Sequence, residues 1–133
     1  MIQLLKGGDL YAPEKRGKKD ILIINNQIAA IGDSLSLEEL SPVVIDVRDK
    51  KVCPGFIDQH VHITGGGGQF GFASFIPELF AGDLLAVGTT TVLGLLGTDG
   101  FVKELTTLYS KAKALDETGV TAWMLTSYYG LPE

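Results

Sequence analysis

The sequence predicts an α/β protein in two parts that meet near Pro54. Residues 1–53 contain short apolar runs separated by turn residues, whereas residues 54–133 alternate longer apolar runs with amphipathic stretches. The pattern changes at Pro54-Gly55, directly before an apolar run that ends in two histidines. Short strands followed by strand, helix, strand, helix and strand are typical of a small β-domain joined to a parallel α/β domain.

The first part, residues 1–53, is predicted to consist of short strands. Apolar runs bounded by turn residues place them at Ile2–Leu5, Asp20–Asn25, Gln27–Ile31 and Val43–Val47. Asn25-Asn26 is typical of a hairpin turn, the charged segment Lys15–Lys19 predicts a loop, and Ser34–Leu40 predicts a helical turn. So few short strands do not readily form an independent domain, so we expect them to be part of a small β-sandwich.

The second part is predicted to contain three strands of a parallel sheet. Their apolar runs show little alternation, as expected for strands buried on both faces, and they lie at Phe56–Ile63, Thr89–Leu96 and Val120–Ser127. A (β/α)₈ barrel needs about 250 residues, so three strands amount to the front of one. The alternative is an autonomous small α/β domain, but both edges of its sheet would then be open and apolar.

Two amphipathic helices are predicted between these strands. The first spans about Pro77–Val87, because Pro suits the first helical position and Gly88 suits the stop. The second spans about Val102–Glu117. The expected core stripes are Ile76, Phe80, Leu84 and Val87 in the first helix and Phe101, Leu105, Leu108, Ala112 and Leu115 in the second, with Lys103, Glu104, Lys111 and Lys113 on the opposite face.

Charge and cysteine content exclude several classes of partner and compartment. Residues 1–54 carry eight basic and eight acidic side chains, whereas residues 55–133 carry three and eight. Without a basic patch, neither nucleic acid nor an anionic membrane is an expected partner. The single cysteine, Cys53, cannot form an internal disulfide, and its apolar neighbours predict a buried thiol. With no apolar leader or membrane span in the sequence, we expect a cytoplasmic protein.

The first strand of the second part ends in side chains that can bind a metal ion. Residues two apart on a strand point to the same side, so the imidazoles of His60 and His62 can share one cation. Such a pair alone is more often solvated or hydrogen-bonded, but α/β strands present functional groups at this end. Four glycines follow, Gly65–Gly68, and let the backbone approach a bound group. Asp58 has the same orientation, so it either orients an imidazole or serves as a structural carboxylate.

The segment from Pro54 to His62, Pro-Gly-Phe-Ile-Asp-Gln-His-Val-His, resembles the signature that opens the barrel in the amidohydrolase superfamily. The four glycines and the segments Pro77-Glu78, Gly94–Asp99 and Ala122–Thr126 narrow the resemblance to the isoaspartyl dipeptidases of that superfamily. It runs along the whole chain but covers only the front of such an enzyme. The resemblance implies that residues 1–53 are the N-terminal part of a β-sandwich, completed from the far C-terminus, and that residues 54–133 are the first three strands and two helices of a (β/α)₈ metal-dependent hydrolase barrel.

The resemblance also implies a binuclear zinc centre in which His60 and His62 are two of the ligands. A carboxylated lysine, two further histidines and an aspartate would come from later strands. The two ions would activate water and polarise an amide carbonyl, and the aspartate would pass the proton to the leaving amine. Because two imidazoles alone hold zinc weakly, the 133-residue chain by itself is expected to be inactive.

Four residues match positions that contact substrate in the family: Gly67, Gln69, Thr98 and Tyr129. Tyr129 further matches a catalytic tyrosine that polarises the scissile carbonyl, although without the resemblance Thr98 and Tyr129 would be taken as ordinary polar loop residues. The family has a glutamate in place of Gln69, where it binds the substrate α-ammonium, so losing its charge would cost one or two decades of affinity. The family also has Arg-Thr where Phe75-Ile76 stand, and Ile76 cannot cap the helix predicted to begin at Pro77.

The resemblance therefore predicts zinc-dependent hydrolysis of the isopeptide bond of β-aspartyl (isoaspartyl) dipeptides. The expected partner is a small peptide substrate, with a homo-oligomeric state in the full-length family. Two alternatives remain: a non-catalytic truncated remnant, and a cyclic-amide hydrolase of the dihydroorotase or hydantoinase kind. The glycine loop together with Gly94–Asp99 argues against the cyclic-amide alternative, and Gln69 favours it.

Overall fold

The computed structural model describes residues 1–97, 99–100 and 102–126, and of Glu38 the backbone alone. The chain divides into two compact units, Met1–Pro54 and Gly55–Glu133. Each unit is built on a sheet of its own. Among the described residues, no helix has the length and apolar character needed to cross a membrane.

The first unit is a five-stranded mixed sheet. Its strands are β1 (Ile2–Tyr11), β2 (Lys15–Ile24), β3 (Gln27–Gly32), β4 (Val43–Asp46) and β5 (Lys51–Val52), in the order β3-β2-β1-β4 with β5 also pairing with β1. The meander β1-β2-β3 is antiparallel, whereas β4 and β5 run parallel to β1. A single 3₁₀ turn at Glu38–Leu40 replaces the longer helical turn predicted there.

Two predictions for this unit are wrong, and both concern β1 and β2. The first strand does not end at Leu5: the pairing with β2 shifts between Leu5 and Gly8, and β1 continues to Tyr11. The segment Lys15–Lys19 is not a loop but the first half of β2. Its lysines pair along β1, and the ammonium of Lys15 lies 3.0 Å from a carboxylate oxygen of Asp9 on that strand. The ladder of β1 therefore overrides the low strand propensity of a charged segment.

A buried carboxylate holds the irregular part of β1 in place. Asp20 is 3% exposed, and its two oxygens accept hydrogen bonds from the backbone N–H of Gly7 at 2.8 Å and of Leu35 at 3.0 Å. Gly7 has a φ of +73°, a conformation that favours glycine and is not stabilised by a regular ladder. Asp20 thus ties the shifted register of β1 to the segment after β3.

Asp20→Ala is expected to lower the free energy of unfolding by at least about 2 kcal/mol, since two backbone donors lose a charged acceptor. The control is Asp33→Ala, because Asp33 pairs with Lys19 on the surface and its side chain is 88% exposed. That exposed pair is expected to contribute less than about 1 kcal/mol. Urea unfolding of the two variants measures the difference. Equal losses of unfolding free energy would show that the hydrogen bonds of Asp20 contribute no more to stability than an exposed ion pair does.

The second unit alternates parallel strands with helices, as predicted. Its elements are β6 (Phe56–Val61), α1 (Ala81–Ala86), β7 (Thr89–Gly94), α2 (Leu105–Glu117) and β8 (Thr121–Met124), and the sheet order is β6-β7-β8. Both pairings are parallel, which confirms the α/β class. The second unit corresponds to the front of an α/β barrel, and the first unit corresponds to part of a β-sandwich.

One hydrophobic core lies between this sheet and its helices. Its buried residues are Val61, Ile63, Leu84, Val92, Leu96, Leu108, Ala112, Leu115 and Val120. The second helix begins at Leu105 and not at Val102, and its predicted stripe is confirmed from Leu105 onward. Leu108, Ala112 and Leu115 are buried, and Leu105 is partly buried against the core. Phe101, the first residue of the predicted stripe, lies outside the described residues. Within β6 only Val61 is buried and within β8 no residue is, so the prediction that these two strands are covered on both faces is wrong for the described residues. The prediction of a buried thiol is also wrong, since Cys53 is exposed.

The first helix is shorter than predicted and begins later. It starts at Ala81, where the carboxylate of Asp83 accepts the N–H of Phe80 at 2.9 Å. Pro77 therefore precedes the helix, and the expected loss of an N-cap at Ile76 does not apply. Ile76 instead pairs with Gly66 in an isolated antiparallel bridge. Of the predicted stripe, Leu84 is buried, whereas Ile76, Phe80 and Val87 are exposed.

Candidate metal centre

His60 and His62 lie at the carboxyl end of β6. Val61 faces the core, so its neighbour His60 lies on the sheet face away from the helices. The pairing of β6 with β7 is irregular between Asp58 and Val61, so the alternation does not extend to Asp58. The two imidazole ring centroids are 5.6 Å apart, and the ring planes are inclined at 79°. His60 is exposed and His62 is half-buried. This separation is compatible with both rings contacting one cation.

The ring of His62 is held between two glycines. A Cβ added at Gly97 would lie 2.3 Å from Cε1 and 2.8 Å from Nδ1 of His62, and one added at Gly66 would lie 3.2 Å from its Cβ and Cγ. The imidazole therefore packs directly against bare backbone on the Gly97 side. Its Nδ1 is buried and accepts or donates no hydrogen bond within the described part of the chain. A buried polar atom without a partner is uncommon in folded proteins and points to a ligand.

Asp58 contacts the backbone of β6 and not an imidazole. Its Oδ1 accepts the N–H of His60 at 3.1 Å. This bond fixes the strand where it delivers its first histidine, so any effect of Asp58 on the ring passes through the main chain.

The glycine-rich segment turns the chain sharply after His62. Gly65 donates its N–H to the carbonyl of His62 at 2.9 Å and has a φ of +80°. A Cβ at this position would lie 2.3 Å from the carbonyl oxygen of Ile76 and 2.8 Å from that of Pro77. Gly65 is therefore required both for its left-handed backbone and for the close approach of the returning strand.

Beyond these glycines the segment is uncharged and exposed. Phe75 covers Gly68, because a Cβ there would meet its ring at 2.8 Å, and Phe75 stacks on Phe72 with centroids 6.0 Å apart. Gln69 is exposed, as are Phe70 and Phe72 on either side of the next turn. Gly67 is exposed as well and has a φ of +86°. The predicted substrate contacts Gly67 and Gln69 are thus both exposed, and neither carries a charge.

A buried ion pair lies after β7, and the sequence analysis did not identify it. The side chain of Asp99 is 0% exposed, and its Oδ2 lies 2.8 Å from Nζ of Lys103. Burial opposes the negative charge, but the ammonium of Lys103 and the N–H of Gly97 outweigh it, so the pKa of Asp99 lies below its usual value. The available signal was the i,i+4 spacing of an aspartate and a lysine directly before a helix.

Two predicted site residues, Thr98 and Tyr129, lie outside the described residues. Their assignment as substrate contacts, and that of Tyr129 as a catalytic group, stays a prediction.

The residues present fit two ligands of a metal centre and do not complete one. Zinc sites in proteins use three or four nitrogen, oxygen or sulfur ligands. The sequence has two histidines in all, and the described residues include no group of three or more His, Cys, Asp or Glu placed to hold a metal ion. His62 offers a buried nitrogen to which no residue in the described part of the chain hydrogen-bonds, with a second imidazole beside it. Further ligands would have to come from elsewhere.

The fold is similar to solved amide-bond hydrolases. The crystal structure of the β-aspartyl dipeptidase from the thermophilic, keratin-degrading Fervidobacterium islandicum AW-1 matches with a TM-score of 0.88 and 39% identity, covering 93% of this chain and 34% of that one. Its complex with the dipeptide β-Asp-Leu matches with a TM-score of 0.86. A D-hydantoinase matches with a TM-score of 0.64 and 28% identity, covering 84% of this chain and 24% of that one.

Curated relatives by sequence include two dihydroorotases. The one from Halalkalibacterium halodurans is 33% identical over 121 residues, which is 90% of this chain and 27% of that protein. The one from Ligilactobacillus salivarius is 34% identical over 102 residues, 74% of this chain and 23% of that protein. No protein-family model matches the chain. The chain thus spans about a third of the length of the solved dipeptidase and about a quarter of the curated relatives.

Proposed function

Because the chain belongs to the amidohydrolase superfamily, we propose that it forms the amino-terminal part of a zinc-dependent hydrolase that cleaves the isopeptide bond of β-aspartyl dipeptides. The observation that carries the proposal is the imidazole pair of His60 and His62 at the carboxyl end of β6, with one buried nitrogen that has no hydrogen-bond partner among the described residues. Barrel enzymes place their catalytic groups at this end of the strands. The similarity to a dipeptidase crystallised with β-Asp-Leu supports the substrate class.

In this proposal each residue of the site has a separate task. His60 and His62 would supply two neutral imidazole ligands to a binuclear centre. Bound zinc would supply a Lewis acid for the amide carbonyl and lower the pKa of a water molecule. Tyr129 would donate a hydrogen bond to the scissile carbonyl oxygen, and Gly67 and Thr98 would contact the substrate. The contacts of Gly67 and Thr98 would contribute by position, since hydrolysis needs the carbonyl and the water held together.

The proposal is tested by fusing residues 1–133 to the remaining two-thirds of the Fervidobacterium enzyme in place of its own first third. We expect the fusion to release leucine from β-Asp-Leu with zinc present, and His60→Ala or His62→Ala to abolish turnover without unfolding the fusion. A folded, zinc-loaded fusion that leaves β-Asp-Leu intact would contradict the proposal.

The 133-residue chain alone is expected to give no turnover of β-Asp-Leu with zinc added, because it offers two imidazole ligands and a stable centre needs more. Leucine release by the purified chain is the measurement, with the fusion as the positive control. Zinc-dependent release by the chain alone would overturn this account of the ligands.

In the same fusion, Gln69→Glu is expected to lower KM for β-Asp-Leu by about tenfold or more. A carboxylate would form a charge-assisted hydrogen bond with the substrate α-ammonium, which is worth about 1–2 kcal/mol more than a neutral one. Gln27→Glu adds the same charge at an exposed position of the first unit and serves as the control. An unchanged KM in the Gln69 variant would mean that the ammonium is bound by another group.

A second candidate is hydrolysis of a cyclic amide, and a specific observation favours it. Dihydroorotases match the chain by sequence, and the exposed Gln69 carries no charge to pair with a substrate ammonium. Assaying the fusion on a dihydropyrimidine ring alongside β-Asp-Leu separates the two candidates. Turnover of the ring alone would replace the dipeptide proposal.

A further inference from the structure

The ion pair of Asp99 and Lys103 links the segment after β7 to the start of α2. The side chain of Asp99 is fully buried, whereas that of Lys103 is 22% exposed. The carbonyl of Asp99 accepts the N–H groups of Val102 and Lys103, both at 2.9 Å, and this turn brings the lysine back over the carboxylate. Apolar residues of similar volume often replace a buried ion pair without loss of stability, so stability alone does not account for one here.

The other carboxylate oxygen of Asp99 contacts the backbone next to the proposed metal site. Oδ1 accepts the N–H of Gly97 at 2.9 Å. Gly97 is the residue against which the His62 ring packs, with Cε1 lying 2.3 Å from the position of a Cβ. The carboxylate therefore fixes the backbone that forms one wall of the imidazole.

Lys103 makes a second link to the same histidine. Its Nζ donates to the carbonyl oxygen of Thr64 at 2.6 Å, two residues after His62. The ion pair thus contacts the backbone on both sides of His62: Asp99 binds Gly97, which packs against the imidazole ring, and Lys103 binds Thr64, which follows His62 in the chain.

From these contacts we propose that Asp99 is a positioning residue for His62. Its carboxylate sets Gly97 against the imidazole, and Lys103 compensates the buried charge and anchors Thr64. The inference rests on the proposed metal site, since it concerns the placement of a ligand. It predicts that losing the bond to Gly97 moves the His62 ring before any metal is added.

Two double variants of the 133-residue chain isolate this bond. Asp99→Leu/Lys103→Met removes the ion pair and the acceptor for Gly97, whereas Asp99→Asn/Lys103→Met removes the ion pair but keeps an acceptor oxygen. If the leucine variant does not fold, Asp99→Ala/Lys103→Met removes the same bond without adding volume. Glu78→Gln/Lys111→Met is the control, because that pair joins helix α2 to the chain before α1 at 3.1 Å, outside the site.

The first readout is the Cε1 signal of His62 in the metal-free chain. We expect it to shift in the leucine variant, to stay near the parent position in the asparagine variant, and to be unaffected in the control. The second readout is zinc affinity, expected to fall about 10- to 100-fold in the leucine variant and much less in the others.

An unshifted signal in the folded leucine or alanine variant would overturn the positioning role, and so would equal shifts in the leucine and asparagine variants. The fusion decides the proposed function separately, because a folded fusion that binds no zinc would contradict it. The metal-free signals alone decide whether Asp99 positions the ring.

Discussion

Replacing Gly97 with alanine is expected to weaken zinc binding by about 10- to 100-fold while the fold is retained. The new Cβ would lie 2.3 Å from Cε1 and 2.8 Å from Nδ1 of His62, far inside van der Waals contact. Those atoms are the end of a side chain, so the imidazole moves and the backbone does not. A displaced ring no longer shares a cation with His60. Zinc titration of the 133-residue chain measures the loss, and circular dichroism checks the fold.

The matched control for this variant is Gly82→Ala. Gly82 lies in α1, and a Cβ there would have no atom of the described residues within 4 Å. Alanine is expected to stabilise the helix by up to about 1 kcal/mol and to leave zinc affinity unchanged. A Gly97→Ala chain that binds zinc as tightly as the parent would contradict this expectation. It would show either that His62 is not a zinc ligand or that the backbone of Gly97 does not set the position of its ring.

Gly65→Ala is expected to lower the free energy of unfolding by more than about 2 kcal/mol. A left-handed backbone costs a non-glycine residue about 1–2 kcal/mol. In addition, the Cβ would lie 2.3 Å from the carbonyl oxygen of Ile76 and 2.8 Å from that of Pro77. Because these are backbone atoms, the pairing of Gly66 with Ile76 must open. Denaturant unfolding of the 133-residue chain gives the value.

Gly71→Ala separates the two contributions. Gly71 has a φ of +97°, but within the described part of the chain a Cβ there would meet no atom closer than 4 Å. It should therefore cost only the left-handed penalty of about 1–2 kcal/mol. If the two variants are equally destabilised, the close approach of Gly65 to the carbonyl groups of Ile76 and Pro77 contributes nothing to the loss of stability.

The order of elements after Pro54 could be predicted because its determinants are local. Leu108, Ala112 and Leu115 recur at helical spacing, and all three are buried in the core. The β-branched run Thr89–Gly94 forms the central strand of the parallel sheet. In such segments the period of the side chains decides both the element and the face that it buries.

The segments that were predicted wrongly take their conformation from distant partners. Lys15–Lys19 has no apolar residue, yet it forms a strand because β1 supplies the ladder. Between Gly66 and Ile76 the chain folds back on itself and the two residues pair. Helix α1 therefore begins after Phe80 and not at Pro77. Nothing in the local pattern of these residues reports such contacts.

The histidine pair follows from spacing alone, but the groups that surround it do not. Lys103 was assigned to the solvent face of the second helix because its neighbours there are charged. Its ammonium instead reaches the carbonyl of Thr64, 39 positions earlier in the chain. Lys111 was placed on the same face, yet its side chain is 11% exposed and lies over the ring of Phe80 at 4.6 Å. The long apolar stem of a lysine can pack against the protein while its ammonium group reaches a polar or aromatic partner, so charge alone does not place the side chain in solvent.

The most direct measurement is a zinc titration of the 133-residue chain followed by the proton and carbon resonances of histidine Cε1. With two histidines in the sequence, the spectrum contains two such signals. The proposed metal centre predicts that the signals of His60 and His62 shift together and saturate at one metal per chain, and that either histidine-to-alanine variant abolishes the shift of the other. Independent shifts of the two signals, or none at all with zinc in excess, would contradict a shared metal ligand pair.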